Sequence, residues 1–152
     1  MGPKSAGADP GPVCYGQGGT EPTVTDADLL LGYLDPEHFL GGDMQLDLAA
    51  VRSSIEGGIA GRLGMSVEQI AWGIHDAVNE SMAAALRAHG AEKGIDLRNF
   101  AMLAFGGPCP VHPSPLARQL SFRPPHPTLC PAPGTSRGSP APPSASDQAR
   151  AT

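Results

Sequence analysis

The sequence has little basic charge, few cysteines and no long apolar run, and each shortage removes a class of function. Of 152 residues only 10 are Lys or Arg, against 15 Asp or Glu. The first 120 residues hold 7 basic and 14 acidic side chains, a net charge of −7. Phosphate neutralisation needs clustered Lys and Arg, so nucleic acid is not an expected partner. No apolar run approaches the about 20 residues that cross a bilayer, so no membrane partner is expected either. The N-terminal Met-Gly-Pro-Lys-Ser has no apolar segment behind Lys4 and does not read as a secretory leader. Cys14, Cys109 and Cys130 are odd in number and far apart. That spacing argues against a disulfide framework and for a reducing, cytoplasmic setting.

Glycine and proline, by contrast, are abundant: 20 and 17 residues. Eight of the 17 prolines fall in the last 32 residues, where the net charge is +2. Residues 121–152 are dominated by Pro, Ser, Ala and Arg without periodicity, and read as a disordered tail. Residues 1–120 are enough for one small core.

Along that body, residues 2–22 are a Gly/Pro-rich leader through which no helix can run. The β-branched Thr23-Val24-Thr25 suggests a short strand. A helix is expected from Asp28 to Leu34, capped by Thr25 or Asp26 and ended by Asp35-Pro36. Asp47 caps a helix over 48–63, with Leu48, Val51, Ile55, Ile59 and Leu63 on one face. Gly57, Gly58 and Gly61 weaken it, and Gly64 suits its C-terminus. Ser66 and Gln69 form a capping box for a helix running to Lys93, stopped by Gly94. Its apolar stripe is read as Val67, Ile70, Ala71, Ile74, Ala77, Val78, Met82, Ala85 and Leu86. Phe100 to Phe105 is a continuous apolar run bounded by Gly106-Gly107, expected to be a buried strand. A short helix is expected around Leu116–Leu120.

Three groups of residues could carry chemistry. The strand leading into Gly106-Gly107 would let backbone N–H groups approach a nucleotide without Cβ interference, although a simple tight strand exit is the commoner meaning of Gly-Gly. Asp9, Glu21, Asp26 and Asp28 could offer carboxylates to a divalent metal. Asp28 is better explained as a helix-start residue favoured by the dipole, whereas Asp9 stands in a loop. Cys14 could be a nucleophile with His112 as its base, but a Cys beside Tyr15 is more often a packed residue. His38, His75 and His89 read as solvated, with His75 off the apolar stripe, and no Cys or His pair has zinc-site spacing.

Several stretches nonetheless occur in a specific order. They are residues 2–42, GPKSAGADPGPVCYGQGGTEPTVTDADLLLGYLDPEHFLGG; 77–87, AVNESMAAALR; 93–107, KGIDLRNFAMLAFGG; and 110–112, PVH. Together they resemble the hydantoinase A / 5-oxoprolinase family, in particular the N-methylhydantoinase A type, over residues 2–120. The resemblance implies an α/β fold: part of an actin-like, ribonuclease H-like ATPase domain, mostly helical in this segment. It implies an ATP-dependent hydrolase that opens cyclic amides of the hydantoin or 5-oxoproline type by carbonyl phosphorylation. ATP and Mg²⁺ would be the cofactors, and a second, hydantoinase B-type subunit or domain the partner. A related ATP-dependent carboxylase subunit, or a non-catalytic remnant, are the alternatives.

On this resemblance Ala104, Phe105, Gly106 and Gly107 map to the nucleotide wall. The Gly/Asp-rich loop maps to Ser5 through Gly11, and a metal-proximal role to Asp9 and Asp26. The family's acidic Gly/Thr-rich phosphate loop does not occur in the sequence. After Gly107, Pro108 and Cys109 stand where the family usually has Ala-Gly. The chain therefore reads as a fragment that does not turn over by itself.

Overall fold

The structure, a computed structural model, describes residues 5–106, 111–122 and 128–131. These are mostly helical. After a 3₁₀ turn at Val13–Tyr15 come α1 (Val24–Leu30), α2 (Leu48–Ile55), α3 (Gly61–Leu63), α4 (Val67–Lys93), β1 (Leu103–Gly106), α5 (Pro113–Leu120) and β2 (Thr128–Pro131).

Local chemistry sets most of these boundaries. Thr23 caps α1: its hydroxyl oxygen accepts from the Asp26 N–H, and the Asp26 carboxylate accepts from the Thr23 N–H. This capping box starts the helix earlier than expected. Of the β-branched trio only Thr23 keeps extended backbone, while Val24 and Thr25 enter the first turn. Asp47 caps α2 through the Ala50 N–H, as its position suggests. Beyond Ile55 the ladder widens into a π segment, Glu56–Ala60, that contains Gly57 and Gly58. Two adjacent residues of low helix propensity make this the weakest part of the 48–63 helix. Gly64 ends it at φ 65°. The Ser66–Gln69 capping box and the left-handed Gly94 bound α4 as expected.

The main core joins the leader to the helices: Val13 and Cys14 pack with Leu29, Leu34, Val51, Ile55, Val67, Ile70 and Val111. A second cluster of Ala83, Leu116 and Leu120 packs α5 on the C-terminal half of α4. The buried line of α4 is rotated from the apolar stripe. It passes through Ala71, His75, Asn79 and Ala83, while Ala77 and Ala85 are exposed. His75 is thus buried, not solvated.

The apolar run 100–105 is only partly a strand. Strand β1 begins at Leu103, which is 67% exposed, and Phe100 before it is 52% exposed, whereas Ala104 is buried. It pairs in parallel with β2, from Leu103 opposite Thr128 to Gly106 opposite Pro131. That pairing places a strand inside the segment expected to be without structure. Thr128-Leu129-Cys130 is its one β-branched and apolar triplet, and β1 offers it an open edge.

Candidate functional site

Helix α1 carries two buried carboxylates that face different partners. Asp26 faces the leader. Its Oδ1 accepts from the Cys14 N–H at 2.8 Å, and its Oδ2 from the N–H groups of Val13 and Thr23 and from the Thr23 hydroxyl. Four protein donors occupy the lone pairs a metal would need. Asp26 is fully buried and ties the 3₁₀ turn of the leader to the start of α1.

Asp28 faces α4 and α5. Its Oδ1 lies 2.8 Å from His75 Nδ1, and its Oδ2 lies 3.3 Å from His112 Nε2. His75 comes from the buried line of α4, whereas His112 is the N-cap residue of α5. One turn along α4 from His75, Asn79 brings its side-chain oxygen to 3.0 Å from His112 Nδ1. Tyr33 and Trp72 flank the His75 ring at centroid distances of 5.1 and 5.8 Å. Asp28, His75 and Asn79 are each 5% exposed or less, and His112 opens partly to solvent. One carboxylate and two imidazoles, each able to offer one ligand atom, lie within 4.8 Å of one another. Such a set can hold a divalent metal or move a proton between two rings.

Sequence reasoning missed this site. It placed Asp28 at a helix start, His75 on the surface and His112 beside Cys14. The signal was available in the four-residue spacing of Ala71, His75, Asn79 and Ala83, which puts a His and an Asn on one ridge between two small apolar residues. The Cys14–His112 pair is not formed: both His112 ring nitrogens face Asp28 and Asn79. Cys14 is fully buried, and burial together with the adjoining Asp26 carboxylate pushes its thiol well above the usual range. A protonated buried thiol is a poor nucleophile.

The remaining expected residues are spread out. Asp9 is exposed in a turn of the leader. Ser5, Ala6 and Gly7 line a cavity of about 560 Å³ together with Glu21, Thr25 and Ile59. Phe105 and Gly106 lie in β1 opposite Cys130 and Pro131. Gly107 lies outside the described residues.

The sequence model of the family described as Hydantoinase/oxoprolinase matches residues 1–131. The chain belongs to that family. It is 49% identical over 123 residues to the caprolactamase subunit alpha of Pseudomonas jessenii, covering 81% of this chain and 18% of that protein. The crystal structure of the ATP-dependent caprolactamase from that organism superposes with a TM-score of 0.72 over 80% of this chain. The acetophenone carboxylase gamma subunit of Aromatoleum aromaticum is 46% identical over 112 residues, covering 74% of this chain and 15% of that protein. The nucleotide-free structure of acetone carboxylase matches 80% of this chain and 17% of its own, at 35% identity and a TM-score of 0.73. The chain thus spans less than a fifth of the length of these relatives. Among the described residues no helix is long and apolar enough to cross a membrane.

Proposed function

We propose that this chain is one segment of an ATP-dependent enzyme that opens cyclic amides of the hydantoin or 5-oxoproline type. The segment belongs to an actin-like ATPase domain that works with a second, hydantoinase B-type subunit. The observation that carries the reading is the 49% identity to the alpha subunit of a caprolactamase across nearly all of the described body. The exposed strand face fits a segment of a larger domain. Leu103 at 67% exposure and Phe100 at 52% are apolar surfaces that a further element would cover.

ATP, when bound, supplies the phosphoryl group that activates the amide carbonyl towards water. The residues of this chain fit one wall of such a site. The Cβ-free Gly106 permits close approach at the end of β1, with Phe105 before it, the small buried Ala104 behind, and Gly107 next in the sequence. These four form the proposed nucleotide wall. For Mg²⁺, which takes hard oxygen ligands, the exposed Asp9 is the contact this chain offers. Asp26, saturated by protein donors, serves that contact by fixing the leader.

A carboxylase subunit is the second reading, favoured by the 46% identity to the acetophenone carboxylase gamma subunit. A segment exchange tests both. Residues 5–106 replace the matching stretch in the caprolactamase alpha subunit, expressed with its companion subunits. The hydrolase reading expects caprolactam-dependent ATP hydrolysis to survive. A soluble, assembled chimera without it would overturn that reading. The same exchange in the acetophenone carboxylase gamma subunit tests the carboxylase. The 152-residue chain alone is expected to show no ATP hydrolysis.

A further inference from the structure

We propose that Asp28, His75 and His112 form a binding site for a divalent metal of the zinc class. The side-chain geometry supports this site whatever reaction the chain serves, starting with the tautomer of His112. With the Asn79 side-chain oxygen 3.0 Å from Nδ1 as acceptor, Nδ1 carries the proton and donates it; this orientation of the amide is the one the proposal takes. Nε2 then presents a bare lone pair. That lone pair faces a carboxylate oxygen of Asp28 at 3.3 Å. Two lone pairs in that arrangement repel unless a positive centre lies between them. A metal ion supplies one; the other occupants of the gap are a second proton on the ring, or the Nε2 proton of the opposite tautomer with the Asn79 amide turned to donate to Nδ1.

The spacing suits the metal. Ligand bonds of about 2.0–2.2 Å around a tetrahedral centre put ligand atoms roughly 3.3 Å apart. His112 Nε2 stands 3.3 Å from one Asp28 oxygen, and one ligand atom from each of the three residues lies within 4.8 Å of the others; His75 Nδ1, hydrogen-bonded to the second oxygen at 2.8 Å, would give up that proton and move out by about half an ångström to ligate. The surroundings also suit it. The hydrogen bond from His112 Nδ1 to Asn79 is the outer-sphere contact that orients a ligating imidazole. Tyr33 and Trp72 both pack against the His75 ring. His112, 21% exposed at its side chain, gives the ion an entrance.

Two imidazoles and one carboxylate select a borderline ion over Mg²⁺, which prefers an all-oxygen shell. Three protein ligands leave one coordination position open. That is the pattern of sites where a metal polarises a carbonyl or lowers the pKa of a bound water. The three ligands come from α1, α4 and the N-cap of α5, so an ion would also tie these three elements together.

The test uses the 152-residue chain freed of metal by a chelator. Titration with Zn²⁺ followed by calorimetry, and with Co²⁺ followed by visible absorption, should each show one site per chain. The cobalt spectrum should have the intense bands of a four- or five-coordinate centre. His112→Asn and Asp28→Asn should abolish that spectrum. Asn79→Ala should keep it but weaken Zn²⁺ binding about 10- to 100-fold. His89→Asn, on the exposed face of α4, should change nothing. If His75→Asn fails to fold, as a buried substitution can, Asn79→Ala and the partly exposed His112→Asn still decide the matter. A chain that shows no such cobalt spectrum, or a spectrum that survives His112→Asn, would overturn the proposal and leave a proton as occupant of the gap.

Discussion

His75 and His112 stack with ring centroids 4.9 Å apart and an interplanar angle of 19°, and both reach the carboxylate of Asp28. One comes from the middle of a 27-residue helix and the other from the cap of an eight-residue helix. Asp28 is what brings them together, so the three should behave as one unit in stability. Asp28→Ala strands two ring N–H or lone-pair positions in a site that is almost dry. Each such loss costs about 1–3 kcal/mol. A double-mutant cycle between Asp28→Ala and His75→Ala, read by urea unfolding, should give a coupling of at least about 1 kcal/mol. Additive losses would mean that the two side chains do not depend on each other.

Asp26 makes a different demand, because all of its described partners are donors. Asp26→Ala leaves the N–H groups of Val13, Cys14 and Thr23 without an acceptor. At about 1–3 kcal/mol for each group, a loss of at least about 3 kcal/mol is expected. Asp26→Asn keeps the shape but turns an NH₂ group towards N–H donors. It should therefore be nearly as damaging as Ala, as measured by the urea midpoint. An Asn variant of native stability would show that the negative charge and second acceptor are dispensable.

Much of this arrangement was legible in the sequence, and the reason is local. Caps and stops such as Asp47, Ser66 with Gln69, Gly64 and Gly94 act over three or four residues, and the structure follows them. The order of the motifs pointed to the family in the same way, through contiguous stretches. Tertiary choices were harder to read. Ile74 and Val78 look like core positions on an isolated helix. The packing of α1 and α5 instead turns His75 and Asn79 inward, where Asp28 and His112 satisfy them. Polar groups on a buried face become intelligible only when their partners are known, and these partners lie in other elements. The strand at 100–105 failed for a related reason. A buried strand needs neighbours on both faces, whereas in the described residues β1 has only β2 beside it in the sheet and its Leu103 stays exposed.

Cys14 should be chemically silent while the chain is folded. Its thiol is raised by burial first and then by hydrogen bonding and charge from Asp26. Alkylation at pH 8, followed by peptide mass analysis, should label Cys14 only after denaturant is added. The same shift fixes the sign of a pH effect. Because the folded thiol holds its proton more tightly, its contribution is complete below the unfolded thiol pKa of about 8.5. It is lost progressively as pH rises above that value towards the folded one. Tyr15, also raised by burial, acts in the same direction. Stability should therefore fall above about pH 9, by up to about 1.4 kcal/mol per pH unit from the thiol. Cys14→Ala should flatten that slope, and an unchanged slope would refute the assignment.

The leader depends on a glycine for space. A Cβ on Gly19 would overlap the carbonyl oxygen of Gly11 and lie 2.9 Å from that of Pro12. Both are backbone atoms, so no side-chain rotation relieves the contact. Gly11 itself sits at φ 70°, with the Ala8 carbonyl oxygen 2.8 Å from where its own Cβ would be. Gly19→Ala should cost about 1–3 kcal/mol by forcing the two loop passes apart. Gly16→Ala should lack this steric term, since nothing lies within 4 Å of its Cβ position, and should cost only the strain of φ 66°. Comparing the two by thermal unfolding separates packing from backbone conformation.

The exposed face of β1 gives a last measurable consequence. Leu103 and Phe100, three residues apart at and just before the start of β1, are both more than half exposed. If this is a face that the rest of a larger ATPase domain covers, the chain alone should bind a hydrophobic dye under native conditions. Leu103→Ser should reduce that fluorescence without lowering stability, since a side chain already in water loses little when made polar. A drop in both would mean that Leu103 is packed in the isolated chain. Dye binding that is absent from the start would mean that the chain covers this face itself, against its being an open slice of a larger fold.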